Sequence, residues 1–325
     1  MRILVKGAGV AGLTVAHELI RRGAEVTISD PSRDFQRAAS WLAGGMLAPW
    51  CERESADEAV LTLGRDSADR WDAILPGKVV RNGTLVLAPN RDQNELKRFA
   101  SRTTDYRWLD EDDIAALEPS LAGRFRQGLV FPQEAHLDPR EILQSLKDDL
   151  SAKGVTFVDG PLDDDSFSDI VDCTGAASIG RIRDLRGVRG EMLYLQSDEV
   201  SLSRPVRLLH PRFPVYIVPR GNGLFMVGAT MIETDFKGPI SARSLMELLN
   251  AAYALHPAFA EAAVIETDAG IRPAFPDNLP RVTRERETVF VNGFYRHGFL
   301  LAPAMAEKAA DLVFSGHHER SRQCA

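Results

Sequence analysis

The sequence predicts an α/β protein in which one domain, built on a parallel sheet, carries an inserted α+β domain with a mixed sheet. Three observations predict this class. A strand, a glycine-rich turn, a helix and a second strand follow one another from the N-terminus. Helices alternate with strands again near the C-terminus, and the middle of the chain is rich in strands. Such alternation is typical of a parallel sheet covered by helices, and 325 residues suffice for a sizeable core.

The glycine-rich turn has the spacing of a dinucleotide site. Gly7, Gly9 and Gly12 follow the first strand and open the first helix, and the second strand ends on Asp30. In such a site the glycines allow a tight turn, close approach to a pyrophosphate, and close helix–strand packing. The helix N-terminus faces the phosphates, and the acid binds a ribose. Glycines also make ordinary turns, but here the first strand, the glycines, the helix, the second strand and the terminal acid all occur at the expected spacing. The predicted contacts are Gly7, Gly9, Val10, Ala11, Gly12, Asp30 and Pro31; the motif alone leaves FAD and NAD both open.

Composition argues against several other classes of function. Acidic residues outnumber basic ones by 46 to 39, for a net charge of −7, and no block rich in Lys or Arg occurs. Binding to nucleic acid or to an anionic membrane surface is therefore not expected, and no apolar stretch reaches membrane-spanning length. Cys51, Cys173 and Cys324 are scattered, which argues against a disulfide framework. We expect a soluble, cytoplasmic protein.

Hydrophobic spacing and turn residues predict the other elements. Predicted helices span residues 56–75, 93–101, 110–117, 138–154, 241–257 and 303–314. Predicted strands span residues 83–88, 155–158, 169–173, 215–220, 224–230 and 289–292. We expect a discontinuous nucleotide domain of residues 1–75, 137–187 and 266–325, and a substrate domain of residues 76–136 and 188–265.

Two features stand apart from these patterns. Lys6 occupies a position where a buried parallel strand usually carries an apolar residue, and the sequence offers no physical reason for it. The run Asp163-Asp164-Asp165 is interpreted as a solvated turn. No Cys or His spacing typical of a metal site occurs, so no metal is expected.

Short blocks along nearly the whole chain resemble the D-amino-acid-oxidase-like flavoproteins, and among them the glycine oxidases of the ThiO type. The blocks are ASWLAGGMLAP (39–49), RNGTL (81–85), FPQEAHLDP (131–139), RGE (189–191), YIVPR (216–220), GATM (228–231), AGIRP (269–273) and GFYRHGFLLAP (293–303). The chain departs from the family at residues 158–169, which are shorter than the family's strand meander. Pro214 stands where some relatives have a polar residue.

The resemblance implies a Rossmann-like FAD-binding domain of the glutathione-reductase type, with an inserted mixed-sheet substrate domain. It implies FAD, held without a covalent bond, since no cysteine lies between residues 174 and 323. Beyond the glycine-rich turn, the implied FAD contacts are Ala39, Ser40, Gly44, Gly45, Met46, Thr174, Gly175, Phe294, Tyr295, Arg296, His297, Gly298, Phe299 and Leu300. A last helix beginning near Pro303 would direct its positive end at the flavin.

The resemblance also assigns four residues to the substrate. Arg272 would clamp the carboxylate of an amino acid, because a guanidinium matches a carboxylate with two donors. Tyr216 would bind the same carboxylate, Arg296 would lie near substrate and flavin, and Met231 would line the pocket. Each has a structural alternative without a role in binding. For Arg272 it is a surface arginine at a strand end, and for Tyr216 and Met231 it is simple packing.

The implied activity is oxidation of glycine or another small amino acid, with oxygen as acceptor and hydrogen peroxide as product. The implied role is supply of iminoacetate for the thiazole of thiamine. Three alternatives remain open. One is a D-amino-acid or N-methyl-amino-acid dehydrogenase with another acceptor, such as a quinone. Another is a flavin-binding protein without catalysis, and the last is a nicotinamide dehydrogenase, for which the closing Arg-His-Gly block has no use. Relatives self-associate, so a homo-oligomer is expected by analogy.

Overall fold

The computed structural model describes residues 1–32, 35, 38–209 and 215–323, with side chains described as far as residue 316. Pro214 and Cys324 therefore lie outside the described residues. The helices are α1 Val10–Arg21, α2 Pro49–Glu52, α3 Glu58–Gly64, α4 Ser67–Ile74, α5 Gln93–Ala100, α6 Glu111–Leu117, α7 Pro139–Ala152, α8 Ala242–Leu255 and α9 Gly298–Gln323. The strands are β1 Arg2–Lys6, β2 Glu25–Asp30, β3 Met46–Leu47, β4 Thr84–Leu87, β5 Arg107–Asp110, β6 Gln127–Phe131, β7 Ala135–His136, β8 Thr156–Asp159, β9 Asp169–Asp172, β10 Arg186–Gln196, β11 Val206–Leu208, β12 Val215–Pro219, β13 Leu224–Gly228, β14 Ile232–Glu233, β15 Ala263–Ala274, β16 Arg281–Glu285 and β17 Thr288–Asn292.

The first sheet has six strands in the order β16-β17-β9-β1-β2-β8. The strands from β17 to β8 are parallel, and only the edge strand β16 is antiparallel. The carboxyl ends of β1, β2, β9 and β17 therefore meet at one edge, where ligands bind in sheets of this kind. The glycine-rich turn, Asp30, Thr174 and the loop after β17 all follow these ends, and the predicted fold class is confirmed.

The first sheet is covered by helices on an apolar core. On α1 the side chains of Leu13, Ala16 and Leu19 are fully buried, as the predicted helical spacing requires. The α1 helix packs against both α9 and α7. Among the described residues, no helix combines the length and the apolar character needed to cross a membrane.

The second sheet has nine strands. Its order is β15-β10-β13-β12-β11-β4-β6-β5, with β14 beside β13 on the same edge of β10. The α8 helix packs on one part of it. A cluster on this sheet includes Tyr194, Val218 and Met226. It packs against Leu42 and Met46, which belong to the segment 39–49 of the first proposed domain. The two proposed domains therefore meet at this cluster.

Two predicted helices differ from the structure. The helix predicted over 56–75 is divided into α3 and α4, and the division follows Gly64, whose bare α-carbon accommodates the Leu300 side chain of α9: a Cβ at Gly64 would lie 2.8 Å from Leu300 Cγ. The last helix begins at Gly298, five residues before Pro303. Pro303 cannot donate to the Phe299 carbonyl four residues earlier, and the indole N–H of Trp71 donates to that carbonyl at 2.7 Å instead.

The unexplained lysine of β1 has a partner in the acidic turn. Lys6 Nζ lies 2.7 Å from Asp164 Oδ2, so the turn is not merely solvated as the sequence suggested. The ammonium leaves the strand at its carboxyl end, which resolves how a buried strand tolerates it. Within the described part of the chain, no three His, Cys, Asp or Glu side chains are grouped to hold a metal ion.

Candidate active site

The glycine-rich turn forms a tight cradle at the end of β1. Gly7 has a φ of +97°, and a Cβ there would lie 2.6 Å from the Cys173 carbonyl oxygen. A Cβ at Gly12 would lie 1.8 Å from the Gly7 oxygen, so no side chain can occupy either position. By contrast, a Cβ at Gly9 would have 3.4 Å to its nearest neighbour. Gly9 therefore leaves space beside the N-terminus of α1, where a phosphate would bind.

Two side chains complete this cradle. Asp30 accepts a hydrogen bond from the Ala8 N–H at 2.7 Å through Oδ2, and its Oδ1 accepts from the Ser32 N–H at 2.7 Å. Ser40 Oγ accepts from the Val10 N–H at 3.2 Å. Each carboxylate oxygen retains acceptor capacity for a ribose hydroxyl. The cradle fits the dinucleotide portion of FAD.

The backbone of the loop before β3 is hydrogen-bonded by a buried arginine. The Arg220 side chain, 2% exposed, donates to the carbonyl oxygens of Gly44 at 2.8 Å and Leu137 at 3.1 Å. Gly45 has a φ of +70°, and a Cβ there would lie 2.2 Å from the Leu137 oxygen. The backbone of the predicted flavin loop is therefore fixed by contacts that the sequence blocks did not indicate.

The loop after β17 connects the first sheet to α9. The backbone of Tyr295 has a left-handed conformation with a φ of +51°, and its N–H donates to the Pro273 carbonyl at 2.8 Å. The Asn292 amide donates to the Gly175 carbonyl at 3.0 Å, which ties this loop to the turn after β9. Phe294, Phe299 and Leu300 pack into the hydrophobic core, so only their backbone is available to a cofactor. The predicted cofactor contacts remain predictions.

The four predicted substrate residues converge at one place. Arg296 NH2 donates to the Tyr216 hydroxyl at 3.2 Å, and Arg296 NH1 lies 3.5 Å from Met231 Sδ. Tyr295 donates its hydroxyl hydrogen to the same sulfur at 3.3 Å. Arg272 NH1 donates to the carbonyl of Thr230, the residue before Met231, at 2.9 Å. Residues from β12, β15, the loop between β13 and β14 and the loop after β17 thus build a single cluster.

The central acid of this cluster was not predicted from the sequence. Glu52, at the end of α2, is 8% exposed. Its Oε2 lies 2.6 Å from Arg296 Nε and 2.5 Å from Arg296 NH2, and its Oε1 accepts from the Tyr216 hydroxyl at 2.8 Å. The sequence PWCE directly follows the recognised block at residues 39–49, but no spacing in it indicates contact with a residue 244 positions later.

The cluster is electrostatically ordered. Burial alone would raise the pKa of Glu52, but the positive charges of Arg296, of His297 when protonated and of Arg207, with the hydrogen bond from Tyr216, lower it to about 2. Burial would lower the pKa of Arg296, and Glu52 raises it above its ordinary value. Burial lowers the pKa of His297 to about 4. At neutral pH the cluster therefore contains an ionised acid, a charged arginine beside it and a neutral imidazole.

Arg272 occupies a different electrostatic position. Burial and the like charge of Arg296 lower its pKa to about 10, so it remains charged at neutral pH. Among the described residues, the only hydrogen bond of its side chain is to the Thr230 carbonyl. Its guanidinium lies against the bare backbone of β10, since a Cβ at Gly190 would be 2.1 Å from Arg272 NH2. Arg272 therefore has donor capacity left for a ligand.

Comparisons with known proteins bear on the family and the fold. Residues 2–312 match the family model described as DAO, FAD dependent oxidoreductase. The Rhizobium etli thiamine biosynthesis oxidoreductase ThiO is 62% identical over 327 residues, with 100% of each chain covered. The Bacillus licheniformis glycine oxidase is 26% identical over 349 residues, with 95% of this chain and 92% of that protein covered. The crystal structure of glycine oxidase from Geobacillus kaustophilus has a TM-score of 0.84 at 24% identity, covers 97% of this chain and 95% of that one, and supports the fold.

Proposed function

This chain belongs to the family of FAD-dependent oxidoreductases, and from this premise we propose that it oxidises glycine, or a similarly small amino acid, with oxygen as acceptor. The observation that carries the proposal is the position of Arg272, a buried cation with one carbonyl partner among the described residues. A charged guanidinium of this kind is a binding site for a carboxylate. The relatives named as glycine oxidase and ThiO act on this substrate class or in thiamine biosynthesis. The product of this chain would accordingly be the iminoacetate used for the thiamine thiazole.

FAD would be held at the carboxyl edge of the first sheet. The glycine cradle and the N-terminus of α1 would bind its pyrophosphate, and Asp30 its ribose. The Gly44–Met46 loop, fixed by Arg220, and the loop after β17 would flank its ring. When bound, FAD supplies the two-electron acceptor that takes hydride from the α-carbon and is reoxidised by oxygen to release hydrogen peroxide.

The side chains of the cluster would bind and orient the substrate. Arg272 would hold the carboxylate. The Tyr216 hydroxyl donates its one hydrogen to Glu52 Oε1, so it would help bind the carboxylate only after turning toward the substrate. Glu52, with a pKa of about 2, is a poor proton acceptor, and the amine would therefore react in its neutral form. Met231 would limit the length of the side chain that the pocket accepts. The rate at low substrate concentration should accordingly rise with pH as the free amine becomes more abundant.

Anaerobic mixing of the purified holoenzyme with glycine, sarcosine or D-alanine tests the activity. Bleaching of the flavin absorbance that air reverses, with release of peroxide, is the expected result. Bleaching that air does not reverse would indicate another acceptor and would contradict the oxidase assignment. A yellow protein that none of these amines bleaches would contradict the substrate class.

Arg272→Ala tests the carrying residue. We expect the variant to retain FAD and to require at least about 100-fold more glycine for half-maximal rate, since it loses charge-assisted hydrogen bonds worth about 3 kcal/mol. Arg272→Lys is the matched control, because it keeps the charge but loses the two-pronged geometry. Its half-maximal glycine concentration should lie between those of the wild type and Arg272→Ala. Unchanged affinity for glycine in Arg272→Ala would show that the carboxylate binds elsewhere.

We also propose that the protein acts in the cytoplasm. The two described cysteines, Cys51 and Cys173, are buried free thiols, which suits a reducing compartment. The division into a nucleotide domain and a substrate domain stands as a proposal as well. It is supported by the assignment of the strands to two separate sheets.

A further inference from the structure

We propose that Glu52 determines the charge of the substrate. By pairing with Arg296 it leaves Arg272, among the described residues, as the sole cation open to a ligand. The site would therefore accept amino acids with one carboxylate and reject those with two. The inference rests on the proposed function and names the substrate class within it. It follows from the charges around the pocket, taken one at a time.

The first charge is Arg296, whose donors are already engaged. Its Nε and NH2 both contact Glu52 Oε2, at 2.6 and 2.5 Å, and NH2 also donates to the Tyr216 hydroxyl. Only NH1 faces a weak acceptor, the Met231 sulfur at 3.5 Å. The side chains of Arg296 and Glu52 are 13% and 11% exposed. Because the Arg296–Glu52 pair is largely buried, water screens the two charges little and they attract each other strongly. Neither charge is therefore free to bind a second ion.

The second charge is Arg207, which cannot reach the ligand. Its NH1 lies 3.7 Å from Glu52 Oε1, and its NH2 lies 3.6 Å from Glu54 Oε2. The guanidinium is stacked between the rings of Phe99 and Tyr216, with its central carbon 4.9 and 5.3 Å from their centroids. The residue is 1% exposed. Arg207 therefore pairs with Glu52 on the side of Tyr216, and Glu54 is its second acidic partner.

Glu52 itself is fixed in place. Its N–H donates to the Ala48 carbonyl at 3.0 Å, within the single turn of α2. The preceding N–H, that of Cys51, donates to the buried carboxylate of Glu134 at 2.7 Å. The carboxylate of Glu52 is held by Arg296 and by the Tyr216 hydroxyl, so it remains beside Arg296 when a second acidic group enters. An incoming carboxylate near Arg296 would meet the Glu52 charge at close range in a poorly solvated site, which is unfavourable.

The test is the Glu52→Gln variant, which keeps the shape and removes the charge. We expect the ratio of kcat/KM for iminodiacetate or D-aspartate to kcat/KM for glycine to rise at least about tenfold over that of the wild type. The freed Arg296 would bind the second carboxylate. In the double variant Glu52→Gln/Arg296→Gln this gain should vanish, because the freed cation is gone. An unchanged ratio in a Glu52→Gln protein that retains FAD would overturn the proposal, and so would a gain that persists in the double variant.

Binding separates this inference from the proposed function, because it needs no turnover. Acetate and malonate, titrated into the wild-type holoenzyme, are expected to perturb the flavin spectrum with malonate at least about tenfold weaker. In Glu52→Gln the order should reverse, and malonate should raise Tm by more than acetate does. Equal or tighter binding of malonate to the wild type overturns the proposal even if the variant does not fold. Normal discrimination by a protein that oxidises no amino acid would instead contradict the proposed function alone.

Discussion

Gly190→Ala is the substitution that most directly probes how the fold sets the candidate carboxylate site. Gly190 lies in the middle of β10, directly opposite Gly270 on β15, and the Arg272 guanidinium rests on it. A Cβ at this position would lie 2.1, 2.3 and 2.5 Å from NH2, Cζ and NH1 of Arg272. The clashing atoms are the end of a flexible side chain, so the arginine will move and the strand will not.

The expected magnitude follows from what the displaced guanidinium loses. It would no longer donate to Thr230 at 2.9 Å, and its fork would no longer face the substrate carboxylate. Hydrogen bonds to a charged group contribute about 1.5–3 kcal/mol each. Loss of about 3 kcal/mol raises the KM for glycine by about 100-fold. FAD content should be unchanged, since the clash involves Arg272 alone.

The assay compares KM for glycine, Tm and flavin absorbance with those of Gly128→Ala. Gly128 lies on β6 in the same sheet, and its added Cβ would meet the end of the Leu87 side chain at 2.8 Å. It controls for crowding a glycine within this sheet, with no contact to Arg272. The reasoning is refuted if Gly190→Ala binds glycine as the wild type does, or if both variants raise KM equally.

Two further predictions concern the cradle and a buried acid. Gly9→Val should fold with normal circular dichroism but purify without flavin absorbance, because its side chain has room in the protein and none beside a pyrophosphate. Gly12→Ala, with its Cβ 1.8 Å from the Gly7 oxygen, should lose both the normal circular dichroism and the flavin absorbance. A yellow Gly9→Val protein would contradict the assignment of the cradle to a pyrophosphate. Burial raises the pKa of Glu134 from 4.5 to about 7, so its contribution to stability is complete below pH 4.5 and is lost as pH rises through 7. The free energy of unfolding of Glu134→Gln should therefore gain on that of the wild type between pH 5 and pH 8, by up to about 3 kcal/mol, and Tm should follow it. A pH-independent difference in Tm would contradict this prediction.

The sequence was sufficient to predict the first domain because its signals are local. The glycine spacing and the acid that ends β2 lie within one continuous stretch of 30 residues, and for Gly7 and Gly12 the structure shows the steric reason. The family was predicted from short blocks in order, and the match over residues 2–312 confirms it. The same locality explains why β1 ends at Lys6, directly before Gly7, and why α1 begins at Val10, within the glycine-rich turn.

The sequence was insufficient where a residue depends on a partner distant in the chain. Lys6 was unexplained because Asp164 lies 158 residues away. The start of α9 was placed at Pro303 because a proline usually marks a first turn; the indole of Trp71, 228 residues from Phe299, satisfies the carbonyl that an internal proline leaves free. No local pattern carries either contact. Glu52 was missed for the same reason.

The pairing of Glu52 with Arg296 links substrate selection to the placement of α9. Arg296 lies two residues before the start of that helix at Gly298, and Glu52 lies on α2, which packs beside α3. Because α3 also packs on α9, the ion pair closes a ring of contacts around the helix N-terminus that the flavin would face. A residue that sets substrate charge therefore also fixes the loop beside the cofactor. Loss of the Glu52 charge should alter the flavin spectrum even in the absence of substrate, whereas Gly190→Ala, which acts only on Arg272, should leave that spectrum unchanged.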